Sequence, residues 1–202
     1  MSNRHETGWD GIYHSRRPDS LPWELGEPRE LLVNLVDSGE LKPSKTLDLC
    51  CGVGTNPLYL ATEGFTVTAL DISDKAIEYA KDQASQKGVT LSFLVADFIK
   101  LPFPKSEFDF IFDFGCFHHV DVEDRADFIQ GVYRVLKSEG IYLLTCFSYK
   151  NGPALNHFTK KQIIGLFNDR FNIQWIKHVS SIEGDEAKRY FYEVLMQKYP
   201  KV

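Results

Sequence analysis

Long hydrophobic runs are missing from this chain. No stretch approaches the ~20 apolar residues that cross a bilayer, and the opening Met-Ser-Asn-Arg-His-Glu-Thr-Gly-Trp-Asp lacks the apolar core of a signal peptide. A membrane span is therefore not expected. Basic charge is also scarce: 23 Lys and Arg stand against 28 Asp and Glu, for a net charge of −5. No basic stripe is present, which argues against long contact with a phosphate backbone. Cysteine is limited to four residues, Cys50, Cys51, Cys116 and Cys146, all within or at the ends of apolar runs. That placement fits a reducing, cytoplasmic setting rather than a disulfide framework. Their spacing to His118 and His119 matches no usual ligand pair, so no metal site is expected. Repeats and low-complexity tracts are absent too, and 202 residues suffice for one domain with a real core.

What is present is a regular alternation. After an irregular arm (residues 1–27) and a short helical pattern at Arg29–Val36, strands are expected at 46–50, 66–71, 91–95, 108–114 and 140–147. Helices are expected at 56–63, 74–87 and 124–137. Ser73 is placed to cap the helix Asp74–Lys87, whose Ala76, Ile77, Ala80 and Ala84 share one face before Gly88 stops it. Alternation of this kind predicts an α/β fold, doubly wound, with a mostly parallel sheet, right-handed crossovers and helices on both faces. The tail differs: after a helix at Lys160–Phe167, Phe171–Val179 and Tyr190–Lys198 read as two strands that pair antiparallel around a polar turn.

The most informative stretch is Thr46-Leu-Asp-Leu-Cys-Cys-Gly-Val-Gly54, where a strand ends in a glycine pair and a helix opens. Gly52 and Gly54 permit a sharp turn and close approach of a ligand, and a helix N-terminus offers backbone N–H groups. Asp71 closes the next strand, roughly 20 residues on, where an acid accepts from ribose hydroxyls. Together they predict an adenosine-type cofactor. A dinucleotide site wants a third glycine where Pro57 stands, so NAD is the lesser reading.

The order of these segments resembles the class I S-adenosylmethionine-dependent methyltransferases over nearly the whole chain. Leu47–Gly54 resembles their first motif, except that Cys50 stands where glycine is usual. Val67–Ser73, with Asp71 and Ile72, resembles the second. Phe93–Phe98 resembles the third, implying that Asp97 accepts from the adenine amine and Phe98 backs the ring. Phe108–Val120 resembles the fourth, and Arg134–Leu144 the approach to the fifth strand. The resemblance implies a Rossmann-like, seven-stranded sheet with the last strand antiparallel, and S-adenosyl-L-methionine turned over to S-adenosyl-L-homocysteine. In the arm, Gly8–Tyr13 and Pro22–Pro28 resemble the thiopurine, thiol and halide methyltransferases, related to the tellurite-resistance enzymes, in which this segment covers cofactor and acceptor.

Residue roles follow as expectations. Trp23 packs on the cofactor, with Tyr13 and Phe114 as further aromatic candidates. Asp48 bonds loop amides or the cofactor amino group, and Cys50 adds a side chain near its methionine end. His118 or His119 is a candidate general base, with shaping of the loop as the alternative, and Asp113 is a rival base. Tyr13, Tyr149 and His157 lie in stretches irregular enough to cover an acceptor. The fourth motif, Asp113-Phe-Gly-Cys116, lacks the signatures of enzymes that methylate DNA bases, and with the acidic charge this points to a small-molecule acceptor. Without an unambiguous base, a thiol or similar soft nucleophile is favoured. Oxygen or nitrogen acceptors, and a non-catalytic cofactor-binding regulatory domain, stay open.

Overall fold

A computed structural model describes residues 4–153 and 155–200, with side chains from residue 8 onward. Its elements, in chain order, are α1 (Arg4–Ser15), α2 (Glu30–Asp37), β1 (Lys45–Leu49), α3 (Thr55–Thr62), β2 (Thr66–Asp71), α4 (Asp74–Lys87), β3 (Ser92–Val95) and β4 (Phe108–Phe114). There follow α5 (Arg125–Val135), β5 (Leu136–Phe147), α6 (Lys160–Phe167), β6 (Phe171–Ile182) and β7 (Lys188–Lys198). The seven strands form a sheet in the order β3-β2-β1-β4-β5-β7-β6. The chain divides into two compact units. The first runs through Phe98 and includes Glu183–Glu186; the second holds Ile99–Ile182 and the residues from Ala187.

In the first unit β1 and β3 both pair parallel with β2, Leu49 facing Leu70 and Asp71 facing Val95. The apolar run of β1 is buried from Thr46 to Leu49, as a parallel strand covered on both faces requires. The Ser73 hydroxyl accepts from the Ala76 N–H, and Gly88, at φ 65°, ends α4 in the left-handed conformation. Both ends of α4 therefore match expectation.

In the second unit β4 pairs parallel with β5, while β7 runs antiparallel to both β5 and β6. The last strand is thus the antiparallel one. Two boundaries move. The segment Leu136–Glu139, read as helix end and turn, belongs to β5: between Phe108 and Phe110 the ladder slips and β5 carries three extra residues, with Glu139 at φ 60°. β6 continues to Ile182, which pairs with Lys188, so the polar turn is shorter than its composition implied.

The arm is the larger correction. Much of it is helical in α1, with a single 3-10 turn at Pro18–Ser20. Gly8 and Gly11 cost the helix ~1 kcal/mol each, which hides it from propensity. Packing supplies what propensity lacks. Tyr13 and Leu21 join Val53 and Ala76 in one buried cluster, with Ile12, Trp23 and Tyr79 against it. The Asp10 carboxylate accepts from Ser73 Oγ at 2.7 Å and Lys75 N at 3.4 Å, adding a negative charge at the N-terminus of α4.

Candidate active site

The loop between β1 and α3 has the conformation its glycines allow. Gly52 and Gly54 sit at φ 56° and 92°, and Cys50 sits at φ 55°. A left-handed backbone at position 50 is the physical reason glycine suits it, and Cys50 occupies it as a disulfide-bonded residue. This departs from the expectation of free thiols. Cys51, beside it, is free and buried.

The loop N–H groups are already taken. Cys51 N donates to Leu70 O and Gly54 N to Cys51 O. Gly52 N donates to Asp71 Oδ2 at 2.9 Å, and Val53 N to Glu24 Oε1 at 3.4 Å. The loop therefore does not present a row of N–H groups to an incoming phosphate, as a generic nucleotide loop would. Its acidic partners come from the chain itself.

Those partners set the electrostatics. Asp71 is 5% exposed; burial raises its pKa against the bonds from the Ser73, Gly52 and Ile72 amides. Glu24 lies against the loop so closely that a Cβ on Gly52 would meet its Oε1 at 2.6 Å and the Tyr13 hydroxyl at 3.1 Å. Burial pushes Glu24 up to about 7, opposed by the Val53 amide and Arg29. The Cys51 thiol is driven upward by burial, then by the charges of Asp71, Asp48 and Glu24. An acid-lined loop suits a ligand carrying positive charge and disfavours a pyrophosphate. Two lone pairs on each Asp71 oxygen leave room for ribose hydroxyls beside the backbone bonds.

Aromatic side chains of the arm complete this half. Trp23 donates from Nε1 to the Tyr13 hydroxyl at 3.1 Å and meets the Trp9 ring edge-on at 5.5 Å. Tyr13, a candidate on both the cofactor and the acceptor side, is buried against the glycine loop. Arg29 holds the arm: its guanidinium reaches both Glu183 oxygens at 3.1–3.2 Å and the Trp23 carbonyl at 2.7 Å. Its backbone N–H bonds Asn56 Oδ1 at the start of α3. Asp48, Ile72 and Phe98 are buried, and Asp97 is half-buried.

Glu24, Arg29 and Glu183 escaped the sequence reading. Glu24 lay inside the quoted arm motif, next to Trp23, and was the one available signal. Arg29 and Glu183 are 154 positions apart, so nothing local marks them as a pair.

In the second unit, Asp113 is fully buried with both oxygens engaged. Oδ1 accepts from Cys116 N at 2.8 Å and Phe117 N at 3.3 Å, and Oδ2 from the Tyr142 hydroxyl at 2.8 Å. Burial lifts its pKa to about 7. Its geometry is that of a group fastening the turn Phe117–His119 to the end of β4. Cys116, immediately before that turn, is disulfide-bonded. His118 is 3% exposed, stacked on Phe147 at 3.9 Å, and accepts from the Phe147 N–H through Nδ1 at 3.3 Å. Burial, then His119, lowers its pKa well below 6.5. His119 is exposed.

The stretch 148–158 is tied to the same turn. Asn156 donates to the His118 carbonyl at 2.6 Å and accepts from Arg125 at 2.9 Å. His157 is half-buried, its Nδ1 at 2.7 Å from Leu155 O. Tyr149 is exposed and stacks on His178 at 6.1 Å. Phe114 lies half-buried at the tip of β4.

Comparison with known proteins gives the family. A methyltransferase domain family matches residues 46–140. An uncharacterized methyltransferase of Schizosaccharomyces pombe is 34% identical over 70% of this chain and 97% of its own length. The 2-heptyl-1-hydroxyquinolin-4(1H)-one methyltransferase of Mycobacteroides abscessus is 30% identical over 73% of this chain, which spans 66% of that protein. Thiocyanate methyltransferase 1 of Brassica oleracea is 32% identical over 67% of this chain and 59% of its own. Among solved structures, one from work on conversion of a disulfide bond into a thioacetal group during echinomycin biosynthesis superposes with a TM-score of 0.85. It is 21% identical and covers 96% of this chain and 92% of its own. A Burkholderia thailandensis N1-methyltransferase with bound S-adenosylhomocysteine superposes at 0.75, with 17% identity and 96% and 87% coverage.

The chain belongs to the class I S-adenosylmethionine-dependent methyltransferases. It is an enzyme of that class, and its cofactor is S-adenosyl-L-methionine. The acid-lined glycine loop fits that ligand, which brings a sulfonium and an ammonium and no phosphate.

Proposed function

We propose that the chain, acting as a single methyltransferase domain, methylates a small soft nucleophile, most simply a thiol, at sulfur. The cofactor supplies an electrophilic methyl group on a sulfonium. Trp23, Asp48, Cys50, Gly52, Gly54, Asp71, Ile72, Asp97, Phe98 and Phe114 are the residues assigned to hold it, with Tyr13 beside them; Glu24, which lies against Gly52 as Tyr13 does, joins them in this reading. Tyr149 and His157 remain the candidates on the acceptor side.

The observation that carries the soft acceptor is the state of the two buried groups expected as bases. Asp113 spends both oxygens on the turn behind it, and His118 spends its Nδ1 lone pair on a backbone N–H. A displacement without a strong base needs an acceptor that ionises by itself near neutrality, as thiols do. The relatedness to a thiocyanate methyltransferase supports the same reading. Oxygen is the second reading, favoured by the relative that acts on a hydroxyquinolinone. For that reading exposed His119 is the base left to act.

The test is formation of S-adenosylhomocysteine by the full chain across a panel of thiols, phenols and amines. Thiols are expected to turn over at least tenfold faster in kcat/KM. Preference for phenols, lost on His119→Ala, would establish the oxygen reading instead.

A further inference from the structure

We propose that His118 binds the methyl acceptor as a neutral hydrogen-bond donor, through Nε2–H, over a cluster formed by Phe114, Phe147 and Phe191, with the Thr145 hydroxyl as a second donor. The acceptor class this selects is a compact monoanion with a soft, polarisable atom, such as a thiolate. The inference rests on the methyltransferase reading above and gives His118 the opposite role to a base.

The tautomer follows from one hydrogen bond. The Phe147 N–H points at Nδ1, so Nδ1 holds a lone pair and the ring proton sits on Nε2. A second proton on Nδ1 would set N–H against N–H while the ring lies buried on Phe147. Burial and the neighbouring His119 ring, 4.4 Å away, both act against the charged form.

Among the described residues Nε2 has no hydrogen-bond partner. That edge of the ring faces Gly115, where a Cβ would stand 3.4 Å from Cε1 and 3.8 Å from Nε2. Gly115 takes φ 93°, and its N–H donates to the Thr145 carbonyl at 3.1 Å. The Thr145 hydroxyl is also buried without a partner. A buried hydroxyl left unmet, beside a ring nitrogen whose proton no protein group accepts, marks a place where a ligand supplies the missing acceptor.

Register places the rings on the same side. Phe114 pairs with Thr145, Phe191 pairs with Phe147, and Thr145 and Phe147 are two apart on β5, so all four side chains share a face. Phe191 lies 5.2 Å from Phe147 and 5.8 Å from Phe114. These positions close β4 and β5 at their carboxyl ends, where open α/β sheets bind ligands. Glu193, in register with Thr145 on β7, faces the same side and is half-buried.

In the chemical step the acceptor's lone pair forms the new S–C bond as the methyl group leaves the cofactor sulfur. That sulfur keeps the bonding pair, and no proton passes to His118.

The test uses the full chain with S-adenosylmethionine and thiophenols of different acidity. Log kcat/KM in the wild type is expected to follow each thiol's own ionisation, with no common break. His118→Phe, which keeps a stacked ring and loses the donor, is expected to lower kcat/KM by 10–100-fold without weakening cofactor binding by calorimetry. His118→Gln, which restores an N–H near Nε2, should recover part of that loss. Nitrogen NMR of histidine-labelled protein should show Nε2 protonated and Nδ1 bare down to pH 5, with Nε2 shifting when a thiophenolate is added to the S-adenosylhomocysteine complex. A break near pH 6–7 shared by all thiols and removed in His118→Gln would overturn the proposal, as would equal loss in both variants. If only phenols or amines turn over, the soft-acceptor reading fails and the anion class falls with it. The two variants then judge the donor role separately on whichever acceptor reacts.

Discussion

Two carboxyl groups, half-buried Glu24 and fully buried Asp113, hold protons into the neutral range because little water reaches them. Both have folded pKa values near 7 against unfolded values of 4.5 and 3.8. The folded chain therefore binds more protons than the unfolded chain between about pH 4 and 7. Their stabilisation is complete below the unfolded values and is lost as pH rises through about 7, on the order of 3 kcal/mol each. Asp113→Asn keeps an oxygen for the Cys116 and Phe117 N–H groups and offers an amide to Tyr142. It should flatten the fall in stability between pH 5 and 8 by about 3 kcal/mol, read from urea midpoints at fixed m. An unchanged slope would show that Asp113 is ionised throughout. Glu24 adds a functional counterpart. Facing Arg29, Asp71 and the Val53 amide, it gains charge as pH passes 7, so affinity for the cationic cofactor should rise several-fold from pH 6 to 8. Glu24→Gln should remove that rise in calorimetric titrations.

At the scale of elements, the arm depends on one buried ion pair more than on its own helix. Arg29 and Glu183 are 9% and 3% exposed at their side chains, and the same guanidinium holds the Trp23 carbonyl. Glu183→Ala leaves that cation buried without its carboxylate and should cost about 3–5 kcal/mol. Trp23→Ala should instead weaken cofactor binding more than stability, since the ring is half-buried. Comparing melting temperature and cofactor affinity for the two variants separates a brace from a contact residue. These elements also show what a sequence can and cannot reveal. β2, β4 and α4 were legible to the residue because their apolar patterns, the Ser73 cap and the Gly88 stop act locally. α1 was not, because Gly8 and Gly11 speak against a helix that packing on Ala76 and Val53 secures. The start of β5 was not, because a bulge at Glu139 lets a turn-like Lys-Ser-Glu-Gly sit inside a strand. Around the loop, the place of Asp71 beside the glycines was readable from its distance to them in sequence. The hydrogen bonds of His118 and Asp113 were not, because they are set by what Phe147, Cys116, Phe117 and Tyr142 donate.

At the scale of the whole molecule, the strand order β3-β2-β1-β4-β5-β7-β6 and the acid-lined loop describe an enzyme built around a cationic cofactor. Among the described residues no helix is long and apolar enough to cross a membrane. Binding to the folded state alone should stabilise the protein, by about 2.7 kcal/mol at a hundredfold excess over Kd. S-adenosylmethionine should raise the melting temperature accordingly, and NAD at equal concentration should not. The measurement closest to the central claim is the rate of S-adenosylhomocysteine formation by the full chain with a thiol and its matched phenol, at pH 7. Thiol-dependent product is expected, with a kcat/KM at least tenfold above that of the phenol. Cofactor that binds and is never consumed with any thiol would contradict it.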